Sequence, residues 1–541
     1  MGRRTGGGRG HRADDGRREG ATPVTLRDST PGGGTGPRDT PGAAGLLREV
    51  LWMAADELRG SVDAADYQEF VLGVFFLRCV SDAFDRRRAE LTRELAADGV
   101  SEDRFGGFLD DPGAYTSARV LWVPEAARWE WITSHTGSGN LPAVLDGAMA
   151  ALMRENASLE GALPRVFHGG VDARGLAGLV RVVDEARFPE TRGRSTGEEL
   201  AEVYEDFLDR FAFTGVRYGG EFVTPRSVTR LMVELLEPYE GRVYDPACGA
   251  AGMLVEAARF VENRRGTAHL DDLALHGEET DERTWRLAKM NLAVHGVGGD
   301  LGVRWGDTLT EDRNPGLQAD FVMSAPPLGI SDRARNESDP RWRYGVPPSD
   351  DPGYAWLQHA LAKLGPYGTA GIVLAEGSLR ARSGERIRRA MLENDVVACV
   401  VALPPHLFRT TRIPSCLWIL TKNKGRRGPV DRRGEILFVD AREAGMLIGG
   451  RTNRVLTETD IMRIAGTYHA WRGTLPARAE WAPYRDEPGF CVSVGMEAVR
   501  RHRYELTPSR YVSRARAGLA TEDDRRGDLQ ALTRNLDVLF D

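Results

Sequence analysis

Cysteine is scarce in this chain, and its few cysteines form no recognisable framework. They stand at positions 79, 248, 399, 416 and 491, without a CxxC pair among them. This pattern argues against a disulfide scaffold and against a structural zinc site, so no metal is expected. The chain also lacks an apolar run of the roughly 18 to 20 residues that cross a bilayer, and an apolar signal core. We therefore expect a cytoplasmic protein with no membrane segment.

Positive charge is not in excess either. The 72 Lys and Arg residues face 79 Asp and Glu residues, which gives a net charge of −7. The chain as a whole is therefore not drawn electrostatically to nucleic acid, and any contact with DNA must be a local patch. The phosphate-binding pattern GxxxxGK(S/T) is absent as well, which counts against ATP as a ligand.

The composition of the 541 residues changes along the chain. Residues 1–42 are rich in Gly, Pro and Arg and poor in apolar side chains, which predicts a disordered leader. Residues 43–195 carry helical patterns and predict an N-terminal all-helical domain, in which one helix has a buried face. That face consists of apolar residues at a spacing of three and four, namely Tyr67, Val71, Val74 and Phe75.

The period of the apolar residues changes in the second half of the chain. From 196 to 513, short β-branched runs such as GRVYDPA, DFVMSAPP and VVACVVALP alternate with helical stretches such as ERTWRLAKMNLAVHG. This alternation predicts an α/β domain built on a doubly wound, Rossmann-like sheet. Residues 514–541 predict a C-terminal helical tail, which either docks a partner or packs on its own domain. Its leucines at coiled-coil-like spacing are Leu529, Leu532, Leu536 and Leu539.

One strand of this domain runs into a turn of small residues and then into a helix, with the sequence VYDPACGAAGML at 243–254. Small residues let a ligand approach the backbone, and free amides at the start of a helix hold a polar group. On this segment alone, a nucleoside ligand and a tight turn without a ligand are equally open interpretations.

Two further carboxylates follow predicted strands. Glu279 comes about 34 residues after Asp245, where an acid at the second strand end reaches the hydroxyls of a ribose. Asp307 follows a third strand-like segment and has an oxygen that accepts a hydrogen bond from an adenine amine. Each acid alone is readily explained as a surface acid or a helix cap, but three acids at successive strand ends favour a binding site.

Together these segments resemble the modification subunits of type I restriction-modification systems, a family of S-adenosylmethionine-dependent adenine-N6 DNA methyltransferases. The resemblance covers roughly residues 44–513. It is carried by LWMAADELRGSVDAADYQEFVLGVFFLRCVSDAFD, by GGEFVTPRSVTRLMVELLEPYEGRVYDPACGAAGML and by ELTPSRYV. It implies a methyltransferase sheet after a helical domain, and transfer of a methyl group from S-adenosylmethionine to adenine N6 in DNA.

The resemblance also assigns site residues and partners. It places the ribose at Glu279 and the adenine of the cofactor near Asp307. The methionine part falls to the turn, at Asp245, Gly249, Ala250, Ala251 and Gly252. A further cofactor role falls to the segment before the first strand, at Glu221, Phe222, Val223, Thr224, Pro225 and Arg226. The implied partners are double-stranded DNA, one specificity subunit for two modification subunits, and a restriction subunit.

The chain departs from the family at a tetrapeptide that the family usually reads as Asn-Pro-Pro-Phe or Asn-Pro-Pro-Tyr. Here it reads Ala325-Pro326-Pro327-Leu328. In the family mechanism a flipped adenine donates from its amine to the Asn oxygen and to the first proline's carbonyl, and it stacks on the aromatic ring. Ala325 has no such oxygen, and strand alternation directs Ser324 to the opposite face.

Three hypotheses follow from this combination. The first is an active type I modification subunit whose target is chosen by a separate specificity subunit. The second is a relative that binds cofactor, DNA or partner subunits without methylating. The third, ranked last because of the helical domain, is a small-molecule or protein methyltransferase that uses the same sheet.

Overall fold

The structure is a computed structural model that describes residues 67–167, 173–185, 204–205, 224–327, 336–408, 413–425, 430–448, 453–474 and 483–512. Some sequence predictions lie outside these residues and stay predictions. They concern the leader at 1–42, the tail at 514–541, the side chain of Tyr67, the cofactor residues Glu221, Phe222 and Val223, and Leu328 of the tetrapeptide.

The helical region begins with a long helix, α1 (Tyr67–Ala97). It continues with α2 (Phe105–Leu109), α3 (Gly113–Thr116), α4 (Trp129–Ser134), α5 (Leu141–Glu155) and α6 (Ala173–Glu185). The apolar spacing in α1 does create a buried face, since Val71, Val74 and Phe75 are at most 1% exposed. They share one hydrophobic core with apolar side chains of α2 to α6. Of the helices described, none has the length and apolar character to cross a membrane.

The β-branched runs that follow form one large sheet, which confirms the predicted α/β class. Its eight strands are β1 (Gly241–Asp245), β2 (Leu273–Gly277), β3 (Ala319–Ser324), β4 (Leu364–Ala375), β5 (Val397–Ala402), β6 (Ser415–Thr421), β7 (Glu435–Asp440) and β10 (Cys491–Gly495). The strands β8 (Met446–Ile448) and β9 (Asn453–Val455) pair in a separate hairpin.

The order across the large sheet is β10-β7-β5-β6-β4-β3-β1-β2. The strands β2, β1, β3 and β4 are parallel to their neighbours in this series. β6 runs antiparallel to both β4 and β5, and β10 runs antiparallel to β7. Because β1, β2 and β3 are parallel, their carboxyl ends meet at the same edge of the sheet, where ligands bind in folds of this kind.

Helices cover both faces of the sheet. One face packs against α7 (Arg226–Leu236), α8 (Gly252–Arg265), α9 (Glu282–Val294) and α12 (Glu458–Arg472). The other packs against α10 (Gly353–Lys363), α11 (Glu385–Glu393), α13 (Met496–Arg501) and α14 (Ser509–Val512). Helix α9 also reaches the core of the helical region through Met290, so the two parts of the chain share this element.

Candidate active site

The first strand delivers a buried carboxylate to the edge of the sheet. Asp245 ends β1 and is 2% exposed. Its Oδ1 accepts hydrogen bonds from Ser324 Oγ at 2.6 Å and from the Ala247 backbone N–H at 3.0 Å. Burial raises the pKa of this carboxyl from its usual 3.8 to about 7, against the opposing effect of the two hydrogen bonds. Asp245 is therefore part of the framework beneath the turn.

The turn that follows exposes backbone at the start of α8. Gly249 and Ala251 both adopt the left-handed conformation, with φ of 54° and 63°. The turn is held from α9, where Asn291 Nδ2 donates to the Ala250 carbonyl at 2.8 Å. Among the described residues no side chain caps α8, so its first amides are candidates to hold an anionic group. A methyl group at Gly249 or Gly252 would meet no atom of the described residues within 4 Å, so that part of the chain leaves space beside the turn.

Glu279 joins the turn to the strand beside it. Its Oε2 accepts from the Gly249 N–H at 3.0 Å, and its Oε1 accepts from the amides of Thr280 and Asp281, both at 2.8 Å. The carboxylate is thus held in one orientation at the end of β2. The backbone adds a link at the same place, because the Cys248 N–H donates to the Glu278 carbonyl at 2.8 Å. Burial raises the pKa of the Cys248 thiol, so a thiolate nucleophile is not available here.

Asp307 lies at the same edge but follows a loop, whereas the sequence predicted that it follows a strand. The segment before it is not a regular strand; a single bridge joins Asp300 to His276 of β2. Glycine at 298, 299 and 302 explains the difference, since glycine weakens a strand. The loop is fixed instead by the Gly306 N–H, which donates to the Glu279 carbonyl at 2.7 Å, and by Thr308 Oγ1, which donates to the Pro246 carbonyl at 2.7 Å.

The tetrapeptide begins where β3 ends. Ala325 is half-buried and packs toward the same core as α8, whereas Ser324 is fully buried and donates to Asp245. The hydroxyl of Ser324 therefore faces the framework and does not replace the missing Asn oxygen, as strand alternation predicted. Pro326 is buried and Pro327 half-buried, so the loop leaves the sheet in a restricted direction.

The segment before β1 is described only from Thr224 onward. Pro225 is the N-cap of α7, and Arg226 Nε lies 3.8 Å from Glu256 Oε2 on α8. This contact brings the three described residues of the segment beside the helix that follows the turn. In the described ranges, no group of three or more His, Cys, Asp or Glu side chains is arranged to hold a metal ion.

This geometry can be compared with known proteins. Residues 195–518 match the sequence model of the family described as N-6 DNA Methylase. The chain belongs to this family. Residues 47–184 match the family described as HsdM N-terminal domain, which covers most of the helical region.

Relatives within the N-6 DNA methylase family are subunits of type I restriction enzymes. The chain is 36% identical over 443 residues to the HindI methylase subunit of Haemophilus influenzae, covering 77% of this chain and 95% of the relative. It is 32% identical over 490 residues to the MjaIX methylase subunit of Methanocaldococcus jannaschii, covering 88% and 84%. This chain is therefore a type I modification methyltransferase subunit of the adenine-N6 class.

Solved structures share the fold. A type I restriction-modification methyltransferase subunit from Streptococcus thermophilus aligns with a TM-score of 0.68 at 24% identity, over 87% of this chain and all of the other. A modification subunit of a putative type I restriction enzyme from Vibrio vulnificus aligns with a TM-score of 0.58 at 18% identity, over 85% and 94%. At these identities the alignments support the fold alone.

Sequence reasoning missed a buried polar group behind this methylase site. Glu278 is 3% exposed, and its Oε1 accepts from Tyr244 Oη and from Asn314 Nδ2, both at 2.7 Å. Tyr244 also contacts His359, which contacts Arg341. Up to 115 residues separate these partners along the chain, and no local pattern in the sequence indicates that they meet.

Proposed function

We propose that the carboxyl edge of β1 and β2 binds S-adenosylmethionine, and that the chain moves its methyl group to N6 of adenine in DNA. One observation carries the proposal. The Gly249 N–H bonds to the Glu279 carboxylate, and the Gly306 N–H bonds to the Glu279 carbonyl. The turn, the second carboxylate and the Asp307 loop thus form one connected surface. When bound, the cofactor supplies an electrophilic methyl group on a positively charged sulfur.

The residues present fit such a cofactor in charge and in space. Glu279 and Asp307 make this edge acidic, which favours a ligand that carries a sulfonium and an ammonium group. The uncapped start of α8 favours the carboxylate of the methionine part. Open space beside Gly249 and Gly252 lets the ligand lie against the backbone of the turn.

Each part of the nucleoside has a candidate partner. Glu279 presents a carboxylate held in one orientation, which suits the donor hydroxyls of a ribose, and Asp307 presents an acceptor for the adenine amine. Thr224, Pro225 and Arg226 complete the site from the start of α7. The proposal extends to Glu221, Phe222 and Val223 by their position in the same segment of the sequence.

The target adenine is held, in this proposal, by the tetrapeptide after β3. The Pro326 carbonyl accepts a hydrogen bond from the amine of the flipped base, which orients the nitrogen lone pair toward the methyl group. The side chain of Ala325 offers no acceptor to the second hydrogen of the amine. Leu328 supplies apolar contact in place of an aromatic ring, and the loss of such a ring costs about 1 to 3 kcal/mol per base.

We further propose that the chain acts with a specificity subunit that selects the DNA sequence, with two modification subunits for each specificity subunit, and with a restriction subunit. The net charge of −7 supports a separate specificity subunit, because a chain without excess positive charge binds DNA more tightly together with a partner that holds the DNA.

The test is a methylation assay on the assembled enzyme. The chain is purified with its specificity subunit and incubated with genomic DNA and S-adenosylmethionine that carries a labelled methyl group. We expect label in N6-methyladenine. Binding of the cofactor without any label in the DNA would contradict the transfer step.

A second function is favoured by one specific observation, the position of Ser324. Its hydroxyl is held by Asp245, so no side chain of the described β3 end replaces the Asn oxygen. On this alternative the chain binds the cofactor and its partners but does not methylate. The same assay separates the two functions, because the alternative predicts bound cofactor and unlabelled DNA.

A further inference from the structure

Arg341 lies behind the proposed cofactor site and uses every N–H of its guanidinium. It is 8% exposed. Nη1 donates to the Thr308 carbonyl at 2.7 Å and to His359 Nδ1 at 3.0 Å. Nη2 donates to the Leu309 carbonyl at 2.6 Å and to Asp339 Oδ2 at 2.6 Å, and Nε donates to Asp339 as well. These bonds account for all five donors of an arginine, a number that lysine does not offer.

The bonds to the Thr308 and Leu309 carbonyls fix the loop that carries Asp307. Thr308 in turn donates from Oγ1 to the Pro246 carbonyl in the turn after β1. Arg341 therefore holds the Asp307 loop against the turn from the side that faces the protein interior. Asp339 neutralises its charge, so the arginine is a paired, buried cation and not a contact for a ligand.

His359 extends the connection toward β1. It is fully buried on α10, and burial together with Arg341 and Lys363 lowers its pKa well below the usual 6.5, so the imidazole is neutral. Because Arg341 can only donate, Nδ1 of His359 must accept, and the proton of the neutral ring lies on Nε2. Nε2 then donates to Tyr244 Oη, which lies 3.0 Å away.

Tyr244 continues the series of hydrogen bonds to Glu278. Its hydroxyl donates to Glu278 Oε1 at 2.7 Å, and burial with the nearby Glu278 charge raises the pKa of the phenol, so it stays protonated. Tyr244 directly precedes Asp245, and Glu278 directly precedes Glu279. One series of hydrogen bonds thus runs from the Asp307 loop to Tyr244 and Glu278, which directly precede the carboxylates Asp245 and Glu279.

We propose that Arg341, His359 and Tyr244 are positioning residues that hold Asp307 at a fixed distance from Glu279 and so make the site selective for the adenine amine of the cofactor. This inference rests on the proposed cofactor function. Asp307 accepts from the amine of an adenosyl ligand, whereas it faces the carbonyl oxygen of an inosyl ligand, which has no donor there. A loop that shifts loses this discrimination while it keeps the ribose and methionine contacts.

Calorimetry with S-adenosylhomocysteine and with S-inosylhomocysteine tests the proposal. Tyr244→Phe removes one oxygen atom and breaks the series between His359 and Glu278, and Arg341→Lys removes at least two of the five donors. We expect the wild type to prefer the adenosyl compound, and each variant to lose about tenfold or more of that preference. The affinity for the inosyl compound should change little.

Arg388→Lys is the matched control. Arg388 is 2% exposed and donates to the Tyr504 carbonyl at 2.7 Å, to Tyr354 Oη at 2.7 Å and to the Ala381 carbonyl at 3.0 Å, none of which belongs to the Asp307 loop or to the series from Arg341 to Glu278. Arg388→Lys should lower the free energy of unfolding without changing the preference for the adenosyl compound over the inosyl compound.

The results for Tyr244→Phe and for the wild type decide whether these residues determine the preference for the adenosyl compound. If folded Tyr244→Phe keeps the wild-type preference, or if both compounds weaken by the same factor, the three residues stabilise the fold only and the proposal is wrong. If Arg341→Lys does not fold, Tyr244→Phe alone decides, since phenylalanine keeps the ring in place. If the folded wild type binds neither compound, the proposed function fails first, and that result is distinct from a lost preference.

Discussion

On the proposed function, Ala325 is the residue on which the rate of methyl transfer depends most. It stands where an Asn side chain accepts from the target amine in the family pattern, and the neighbouring hydroxyl of Ser324 is held by Asp245. On the proposed function, the chain therefore orients the adenine with one backbone carbonyl, where the family pattern offers two acceptors.

Restoring the tetrapeptide should raise activity. We expect Ala325→Asn with Leu328→Tyr to increase methyl transfer to adenine N6 by about tenfold or more, because one hydrogen bond and one stacked ring return to the transition state. The measurement is initial-rate transfer of labelled methyl groups to DNA by the assembled enzyme. Ala325→Leu with Leu328→Tyr is the control, since leucine matches asparagine in size but has no acceptor. Equal rates for the two double variants would contradict the role given to residue 325.

Asp245 gives a second prediction, in the pH dependence of stability. Its pKa is about 7 in the folded chain and 3.8 in a model peptide, so the folded state binds the proton more tightly. Its contribution is therefore fully present below about pH 4 and is lost as the pH rises through 7. Asp245→Asn keeps an acceptor for Ser324 and Ala247, both of which bond to Oδ1.

We expect the free energy of unfolding of the wild type, relative to Asp245→Asn, to fall by up to about 4 kcal/mol between pH 4 and pH 8. Urea unfolding of both proteins at several pH values measures this difference, and the comparison cancels the titration of other groups. A difference that stays constant, or that rises with pH, would show that Asp245 is ionised in the folded chain.

The residues of the site were predictable to different degrees. Asp245 and Glu279 follow apolar runs in the sequence, so their arrival at one edge could be expected from the parallel strands, whereas Asp307 follows a loop that the sequence pattern predicted as a strand. Arg341 and His359 could not be found in this way. They meet Thr308 and Tyr244 only because α10 packs under the sheet, and that packing depends on contacts between residues far apart in the chain.

Among the elements, α9 links the fold most directly to the site. Its N-cap, Asp281, accepts from the Thr284 N–H at 2.8 Å through its side chain. The backbone N–H of the same residue donates to Glu279 Oε1 at 2.8 Å. The start of this helix therefore orients the carboxylate that we assign to the ribose.

Asp281→Ala should lower the free energy of unfolding by about 1 kcal/mol, the usual loss for a helix cap. It should also weaken binding of S-adenosylmethionine severalfold, because the amide that holds Glu279 gains freedom. Thr457→Ala is the matched control. Thr457 caps α12 and forms a capping box with Asp460, so this change should cost similar stability and leave the affinity unchanged. Equal affinity in both variants would contradict the link between α9 and Glu279.

The elements also show where sequence patterns stop being informative. The β-branched run VVACVVALP predicted β5 correctly, and in the structure this strand pairs with β6. Their antiparallel pairing, with β6 between β4 and β5, was not readable. Strand direction and order depend on how the chain returns to the sheet, and the local period of apolar residues contains no information on that.

At the scale of the whole molecule, α9 couples the helical region to the sheet. Met290 of α9 is 1% exposed and packs in the core of the helical region, while Ala288 and Leu292 of the same helix pack in the core of the sheet. An ion pair between Arg283 and Glu69, at 3.0 Å, joins α9 to α1. The helical region is therefore positioned to stabilise the helix that holds Glu279.

Titration calorimetry of the folded chain with S-adenosylmethionine shows whether the edge formed by the β1 turn, Glu279 and the Asp307 loop binds this compound. We expect one site per chain, with binding lost or greatly weakened in Glu279→Ala and unchanged in Thr457→Ala. A folded wild-type chain that takes up no cofactor, alone or together with its specificity subunit, would show that this edge is not a cofactor site.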